Sequence, residues 1–410
     1  MQTAIIAGGK GTRIAEYYPN IPKPMIPLNG KPLLQHQIEM LVNQGLTQIT
    51  LIVGYKSEVI ENYFGNGFKY GAEINYIKED TPLDTGGALS LLPKEDTLIL
   101  LGDVYCNIDV DRLIAYHRNK QADITLFVHP NNHPQDSDIV VADDEGKVTE
   151  WNAKSSADHN ALRNLVNAGI YLINADMLPN GKAIKRNLNR ELIIPQIGVK
   201  KVYAYRSTEY VKDMGTIERL RQVENDISEG IAAARSLKNK QKAIFLDRDG
   251  TINIFDGLIT NPNQLKLADG AAEAIRYINK SEYLAICVTN QPVIARGDVT
   301  FEQLNAIHAR LDNLLGEQGA YLDNLLFCPH HPDKGFEGER IEYKTDCNCR
   351  KPKPGLLIKA AEIYNIDLSK SYIIGDTWRD VEAGKAAGCQ SIQLDDTISI
   401  FDAVKKILKK

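Results

Sequence analysis

The chain has 410 residues, 43% of them apolar and 25% charged, with 48 basic against 53 acidic side chains and a net charge of −5. That length corresponds to about two or three domains. The even charge, 24 basic against 28 acidic through Ser228 and 24 against 25 beyond it, excludes the basic face of a nucleic-acid binder.

No apolar run approaches the ~18 residues of a membrane span, and "MQTAIIAGGKG" lacks the basic head and long apolar stretch of a leader. The expectation is a cytoplasmic protein acting on small molecules, with no membrane or nucleic-acid partner. Short β-type runs alternate with helical spacings from the first residue. "TAIIAG" reads as a strand, Leu34, Ile38, Leu41 and Val42 recur at helical spacing, and "QITLIV" and "SEVIENYF" follow. This alternation predicts an α/β domain with a mostly parallel sheet.

Directly after the first strand, "AGGKGTR" sets Gly8, Gly9 and Gly11 where backbone can approach an anion, with Arg13 as a forked cation for phosphate oxygens. A tight strand-to-helix turn with a surface arginine is the bland alternative. In "PKPMIPLNGKP", Lys23 stands between two prolines on a stiff, non-helical segment that can hold an ammonium in place. Asp103 ends the strand "TLILLGD" and Asp213 lies in "KDMGT"; brought together, the two carboxylates could share Mg²⁺.

"ERLRQVENDISEGIAAARSLKNKQK" reads as one helix turning Lys-rich, which puts domains at 1–228 and 242–410 with a helical linker over 229–241. The α/β pattern then restarts: strand "KAIFLD", a helix near 269–280, strand "LAICVTN", a helix near 301–316, strand "SYIIGD" and a last strand "SIQL". In "FLDRDGT", Asp247 ends an apolar strand with Asp249 two residues on, a pair able to divide the roles of nucleophile and acid. Of six cysteines, Cys106, Cys287 and Cys389 stand alone, while Cys328, Cys347 and Cys349 cluster with His330. Four such ligands suit a closed tetrahedral zinc site better than a disulfide framework.

As an ordered set, "AGGKGTR", "PKPMIPLNGKP", "LDTGGAL", "LLGD", "NAGIYLI" and "KDMGT" resemble the sugar-1-phosphate nucleotidylyltransferases. The resemblance implies in-line attack by a sugar-1-phosphate oxygen on the α-phosphorus of a nucleoside triphosphate, with loss of pyrophosphate. It implies that Arg13 and Lys23 hold the triphosphate and that Asp103 and Asp213 carry Mg²⁺. Gly86 and Gly87 would lie against the base or sugar, and Lys154 and Asn167 would contact the substrate. Two departures stand out: Asp84 where the family has glycine, and "AKS" where it has Glu-Lys-Pro, keeping only Lys154.

The second half, through "FLDRDGT", "VTNQ", "CRKPKPG" and "IIGDTWRD", resembles the haloacid-dehalogenase-type phosphatases. Within them its Cys-x-His and Cys-x-Cys-Arg-Lys-Pro arrangement looks most like the D-glycero-D-manno-heptose 1,7-bisphosphate phosphatases and related histidinol-phosphatase domains. The resemblance implies Asp247 as nucleophile and Asp249 as acid and base. Mg²⁺ would lie at Asp247, Asp249 (through its carbonyl) and Asp376, and the phosphate would be held by Thr289, Asn290, Arg350 and Lys351. Structural Zn²⁺ would lie at Cys328, His330, Cys347 and Cys349, with His331 outside the set. "TNQPVIARG" departs from relatives at Pro292 and Val293.

Two tandem Rossmann-like three-layer domains are therefore expected: a nucleotidyltransferase fold, then a haloacid-dehalogenase fold with a zinc-binding loop. The fusion implies consecutive steps, removal of a 7-phosphate and activation of the remaining 1-phosphate, giving GDP-D-glycero-α-D-manno-heptose. Two alternatives stay open. One keeps both reactions with another sugar phosphate or with dTTP or UTP; the other makes the first domain a non-catalytic nucleotide sensor.

Overall fold

The computed structural model describes residues 1–9, 16–153, 162–335 and 337–409. The chain divides into two compact units. One comprises Met1–His129, Val140–Trp151 and Asn167–Ser236; the other comprises Pro130–Ile139, Asn152–Val166 and Leu237–Lys410. Among the described residues, no helix is long and apolar enough to cross a membrane.

The first sheet uses β1 (Gln2–Ile6), β2 (Gln48–Val53), β3 (Glu73–Lys78) and β4 (Thr97–Leu101), then β6 (Ile124–His129), β7 (Ile139–Ala142), β8 (Val148–Asn152), β9 (Val166–Ile173) and β10 (Val202–Arg206). Its order is β8-β7-β9-β4-β1-β2-β3, with β6 between β9 and β10. Thr3, Ala4 and Ile5 of β1 are at most 1% exposed, as expected of a central strand covered on both faces. Helix α1 (Leu33–Val42) packs the apolar stripe Leu34, Ile38 and Leu41 into the same core, and helices α2 (Ser57–Phe64) and α3 (Val110–Lys120) follow it in the chain.

The sheet is less parallel than the sequence pattern suggests. β1 runs parallel to β2 and β4, but β9 runs antiparallel to β4 and β7. Among the described residues no α-helix separates β6 from β9, so no helical crossover is available to keep that part of the sheet parallel. A separate antiparallel ribbon pairs β5 (Val104–Asn107) with β11 (Tyr210–Asp213) and sets Asp213 opposite Val104.

The expected single helix after "KDMGT" is two helices, α4 (Ile217–Ser228) and α5 (Ile231–Ala234). Gly230 separates them at φ 77°, a left-handed conformation that glycine takes without a Cβ clash. Ala232 of α5 lies in the core with Tyr210 and Leu220. Leu237 packs in a core with Phe245 and Val288.

The second sheet is wholly parallel in the order β14-β13-β12-β15-β16. These strands are β12 (Lys242–Leu246), β13 (Tyr283–Asn290), β14 (Asn324–Cys328), β15 (Tyr372–Gly375) and β16 (Gln390–Gln393). Its helices include α6 (Ala271–Asn279), α7 (Phe301–Glu317), α8 (Gly355–Tyr364), α9 (Trp378–Ala387) and α10 (Ile400–Leu408). Ala243 through Leu246 are 0% exposed. The carboxyl ends of the neighbouring strands β13, β12 and β15 deliver Thr289, Asp247 and Asp376 to one edge, where open α/β sheets bind ligands.

Candidate active sites

In the first unit the β5–β11 ribbon brings Asp103 and Asp213 together: the Met214 N–H donates to the Asp103 carbonyl at 3.0 Å. Lys23 lies between the two carboxylates, its Nζ 2.7 Å from Asp103 Oδ2 and 3.4 Å from Asp213 Oδ1. The flanking prolines leave Lys23 in a short 3₁₀ turn, and the residue is 7% exposed. The sequence reading gave this ammonium to the triphosphate; in the structure it neutralises the acidic pair. The other oxygen of Asp213 is taken by Arg219, one turn into α4. Two carboxylates meeting on one cation form the hard-oxygen donor set that Mg²⁺ uses.

Gly8 and Gly9 follow β1, while Gly11, Arg13 and Lys154 lie outside the described residues. A Cβ on Gly8 would come within 2.6 Å of Glu79 Oε2, whereas Gly9 has open space around it. Glu79 has no motif to announce it. Burial raises its pKa, its carboxylate accepts from the Leu83 backbone, and Oε1 is buried without a partner.

Gly86 and Gly87 face their own chain. A Cβ on Gly86 would meet Leu188 N at 2.9 Å, and one on Gly87 would collide with the Ile184 carbonyl. Their smallness therefore admits the 184–188 segment, a packing reason that the motif did not disclose. Asp84 sits at φ 60°, the left-handed region that explains a family glycine. Its carboxylate accepts from Thr85 N at 2.7 Å and from Asn187 Nδ2 at 3.3 Å. Asn167 donates to the buried Tyr171 hydroxyl at 2.8 Å, which donates to Asn189 Oδ1 at 2.9 Å.

In the second unit Lys351, 2% exposed, spans Asp247 Oδ1 at 2.9 Å and Asp380 Oδ1 at 2.5 Å. Burial works against its charge, but Asp247 and Asp380 outweigh it and hold the ammonium above its usual pKa. Burial also pushes Asp247 up to about 6, with Lys351 opposing and Asp380 and Asp249 adding repulsion. Asp380 accepts at its other oxygen from Thr377 N and Oγ1, capping α9. Any side chain at Gly375 would strike Asp380, so the glycine of "IIGDTWRD" is required by this contact.

Asp247, Asp376 and Asp380 each offer an oxygen, all within 4.8 Å of one another. Asp376 Oδ1 is buried without a hydrogen-bond partner. An orphan carboxylate oxygen beside two further acids fits a hard cation. Asp249 does not join this group through its side chain, which turns to Arg248, Asn253 and Gln291. The sequence reading gave Asp249 to the metal through its backbone carbonyl only; Asp380, to which it gave no role, supplies the third carboxylate of the group. Asn290 clasps the Lys351 backbone, accepting from its N–H and donating to its carbonyl, both at 3.0 Å.

Cys328, His330, Cys347 and Cys349 converge. Their sulfur–sulfur distances are 3.2 to 3.4 Å, and His330 Nδ1 is 3.6 Å from Cys328 Sγ and 3.4 Å from Cys349 Sγ. All three thiols are free. Tetrahedral zinc with Zn–S of ~2.3 Å places sulfurs about 3.8 Å apart, so the soft donor set fits that metal with slight expansion. Contact with Cys328 draws Cys349 down to about 5, and the same contact pushes Cys328 up. His331 accepts at Nδ1 from Asp333 N instead. The loop also seats Arg350, whose Nη1 donates to the His330 carbonyl at 3.1 Å. Burial lowers the Arg350 pKa, with Arg379 and Arg296 adding to the effect; these two arginines carry no role in the motif reading.

Residues 2–230 match the nucleotidyl transferase family model and residues 348–397 the HAD-hydrolase-like model. The D-glycero-beta-D-manno-heptose-1,7-bisphosphate 7-phosphatase of Pasteurella multocida is 42% identical over 158 residues, 38% of this chain and 83% of that protein. The mannose-1-phosphate guanylyltransferase of Mycobacterium tuberculosis is 30% identical over 275 residues, 65% of this chain and 73% of that protein. Among solved structures, the D,D-heptose 1,7-bisphosphate phosphatase of B. bronchiseptica, complexed with magnesium and phosphate, is 29% identical. That match covers 41% of this chain and 99% of the other, with a TM-score of 0.36.

Proposed function

We infer the function from the premise that the chain belongs to the nucleotidyl transferase family over residues 2–230 and, in its second half, to the heptose-bisphosphate phosphatases. It is an enzyme with both activities. Our reading is that the phosphatase removes the 7-phosphate of D-glycero-D-manno-heptose 1,7-bisphosphate, and the transferase then joins the heptose 1-phosphate to GMP from GTP, releasing pyrophosphate. The observation that carries the phosphatase assignment is the buried Lys351 held between Asp247 and Asp380. This constellation keeps a nucleophilic carboxylate and a phosphate-binding cation in contact out of water. Lys23 between Asp103 and Asp213 supports the transferase assignment in the same way.

In the phosphatase an Asp247 oxygen attacks phosphorus and the sugar alkoxide leaves, taking a proton from Asp249. Water, deprotonated by Asp249, then attacks the aspartyl-phosphate to free Asp247 and inorganic phosphate. Thr289 and Lys351 hold the phosphoryl oxygens, and Arg350 meets the anionic substrate beside them. Mg²⁺ would be held by Asp247, Asp376 and the Asp249 carbonyl, offsetting repulsion between carboxylate and phosphate. Zn²⁺ at Cys328, His330, Cys347 and Cys349 would fix the loop that presents Arg350 and Lys351.

In the transferase the sugar phosphate is already ionised, so the chain's own residues position it and neutralise charge. Asp103 and Asp213 would hold Mg²⁺, which would supply charge neutralisation at the triphosphate, and Lys23 beside them would meet the triphosphate with its ammonium. Guanine is the base we assign because a guanylyltransferase is 30% identical to this chain over 275 residues.

The test is a substrate panel: heptose 1,7-bisphosphate with GTP, dTTP or UTP, following phosphate and pyrophosphate separately. GTP should support both signals. Asp247→Asn should abolish phosphate release and block nucleotide-sugar formation from the bisphosphate, yet spare it from heptose 1-phosphate. Phosphate release with no nucleotide-heptose from any triphosphate would overturn the reading.

A further inference from the structure

The Asp249 carboxylate is surrounded by N–H donors. Arg248 reaches Oδ1 from Nε at 3.0 Å and both oxygens from Nη2 at 2.9 Å, and Asn253 Nδ2 reaches Oδ1 at 3.1 Å. Gln291 Nε2 reaches Oδ2 at 2.8 Å, and the same nitrogen lies 2.9 Å from Thr289 Oγ1. Gln291 and Thr289 are each 1% exposed and Arg248 is 0% exposed. Gln291 N–H also donates to the Cys328 carbonyl at 2.8 Å, anchoring the residue just beyond the end of β13.

The orientation of the Gln291 amide follows from its partners. A carboxylate can only accept, so the NH₂ end must face Asp249. Its second hydrogen is then directed to Thr289 Oγ1. A hydroxyl has one proton, and because this one is receiving a hydrogen bond from Gln291, that proton is available for the phosphoryl group. One buried amide thus fixes the donor direction of the phosphate-holding hydroxyl and the position of the acid/base carboxylate together. Arg248 and Asn253 hold Asp249 but have no hydrogen bond to Thr289; Gln291 alone among these three joins the two functions.

We propose that Gln291 is a positioning residue of the phosphatase site, registering the leaving-group acid Asp249 against a phosphoryl group held by Thr289. The proposal rests on the reading of Asp247 as nucleophile and Asp249 as acid and base. It predicts a dependence on the leaving group, since a p-nitrophenolate departs without a proton and a sugar alkoxide does not.

Gln291→Met keeps the buried volume and removes both donors. In the full chain it should lower kcat on heptose 1,7-bisphosphate by about 30-fold, part of the roughly 10²–10⁴-fold that a general acid contributes. The pre-steady-state burst of p-nitrophenolate from p-nitrophenyl phosphate should change less than about 3-fold, because that step loses only the orientation of the Thr289 hydroxyl and needs no acid. Nucleotidyl transfer from heptose 1-phosphate reports that the protein is folded, and Gln291→Ala serves if the methionine variant does not accumulate. Equal loss on both phosphatase substrates, or no loss on either, overturns the proposal. Asp249→Asn separates the two levels. If it leaves turnover of the bisphosphate intact, the acid/base reading itself fails. If it abolishes that turnover while Gln291→Met leaves it unchanged, only the role of Gln291 fails.

Discussion

Lys351 shows how a single side chain depends on its partners. It is 2% exposed and Asp380 is 1% exposed, so their charges have little access to water and are compensated by each other and by Asp247. Removing one member of such a set leaves the rest buried and uncompensated. Asp380→Ala should therefore destabilise the second unit by about 3 kcal/mol, read as a lower urea midpoint for its unfolding. An unchanged midpoint would mean that water reaches the Lys351 ammonium. The sequence placed Asp380 four positions after Asp376 without giving it a role, because nothing local says that it faces a lysine 29 residues away. The same holds for Gln291, which closes the motif "VTNQ" with no role of its own until the fold sets it against Asp249.

At the scale of elements, helix α7 carries a titratable group inward. His308 is 1% exposed, its Nε2 has no hydrogen-bond partner, and burial, reinforced by Arg248 and Arg163, holds its pKa well below the usual value. The folded state keeps this imidazole neutral, while the unfolded chain protonates it near pH 6.5. The unfolded state then binds more protons, so stability contributed by this site is full above about pH 6.5 and falls as pH drops below it. Between pH 7.5 and 5.5 that loss should be about 1 kcal/mol, and His308→Gln should remove it; equal pH dependence in the two proteins would discard the assignment. The cysteine loop is the second element with its own test. Cys347→Ser should lose bound zinc, measured by elemental analysis, and raise KM for the bisphosphate through a misplaced Arg350. Wild-type KM in demonstrably zinc-free protein would return the cysteines to ordinary structural thiols.

On the scale of the whole molecule, each unit has its own hydrophobic core and its own acidic site. Mutations in separate sites with no shared partners act independently. Asp103→Ala should abolish pyrophosphate release while phosphate release from the bisphosphate continues at the wild-type rate. Parallel loss of both would show that the sites are coupled and that independent cores do not describe the enzyme.

Alternating strands and helices, the restart of that pattern after residue 241, and the order of the motifs are legible in the sequence, because periodicity and turn chemistry act between near neighbours in the chain. That reading delivered the α/β class and, through the resemblance of the motifs, the two enzyme families and the choice of His330 over His331 in the cysteine cluster. The antiparallel return of β9, the break at Gly230, the Lys23 bridge and the packing of Gly86 and Gly87 against residues 184–188 emerge only in the fold. Asp103 and Asp213 are 110 positions apart, and only the register of the β5–β11 ribbon brings them to one ammonium. The sequence determined which chemical groups this protein owns; strand order and register, set by long-range packing, decided which of them meet.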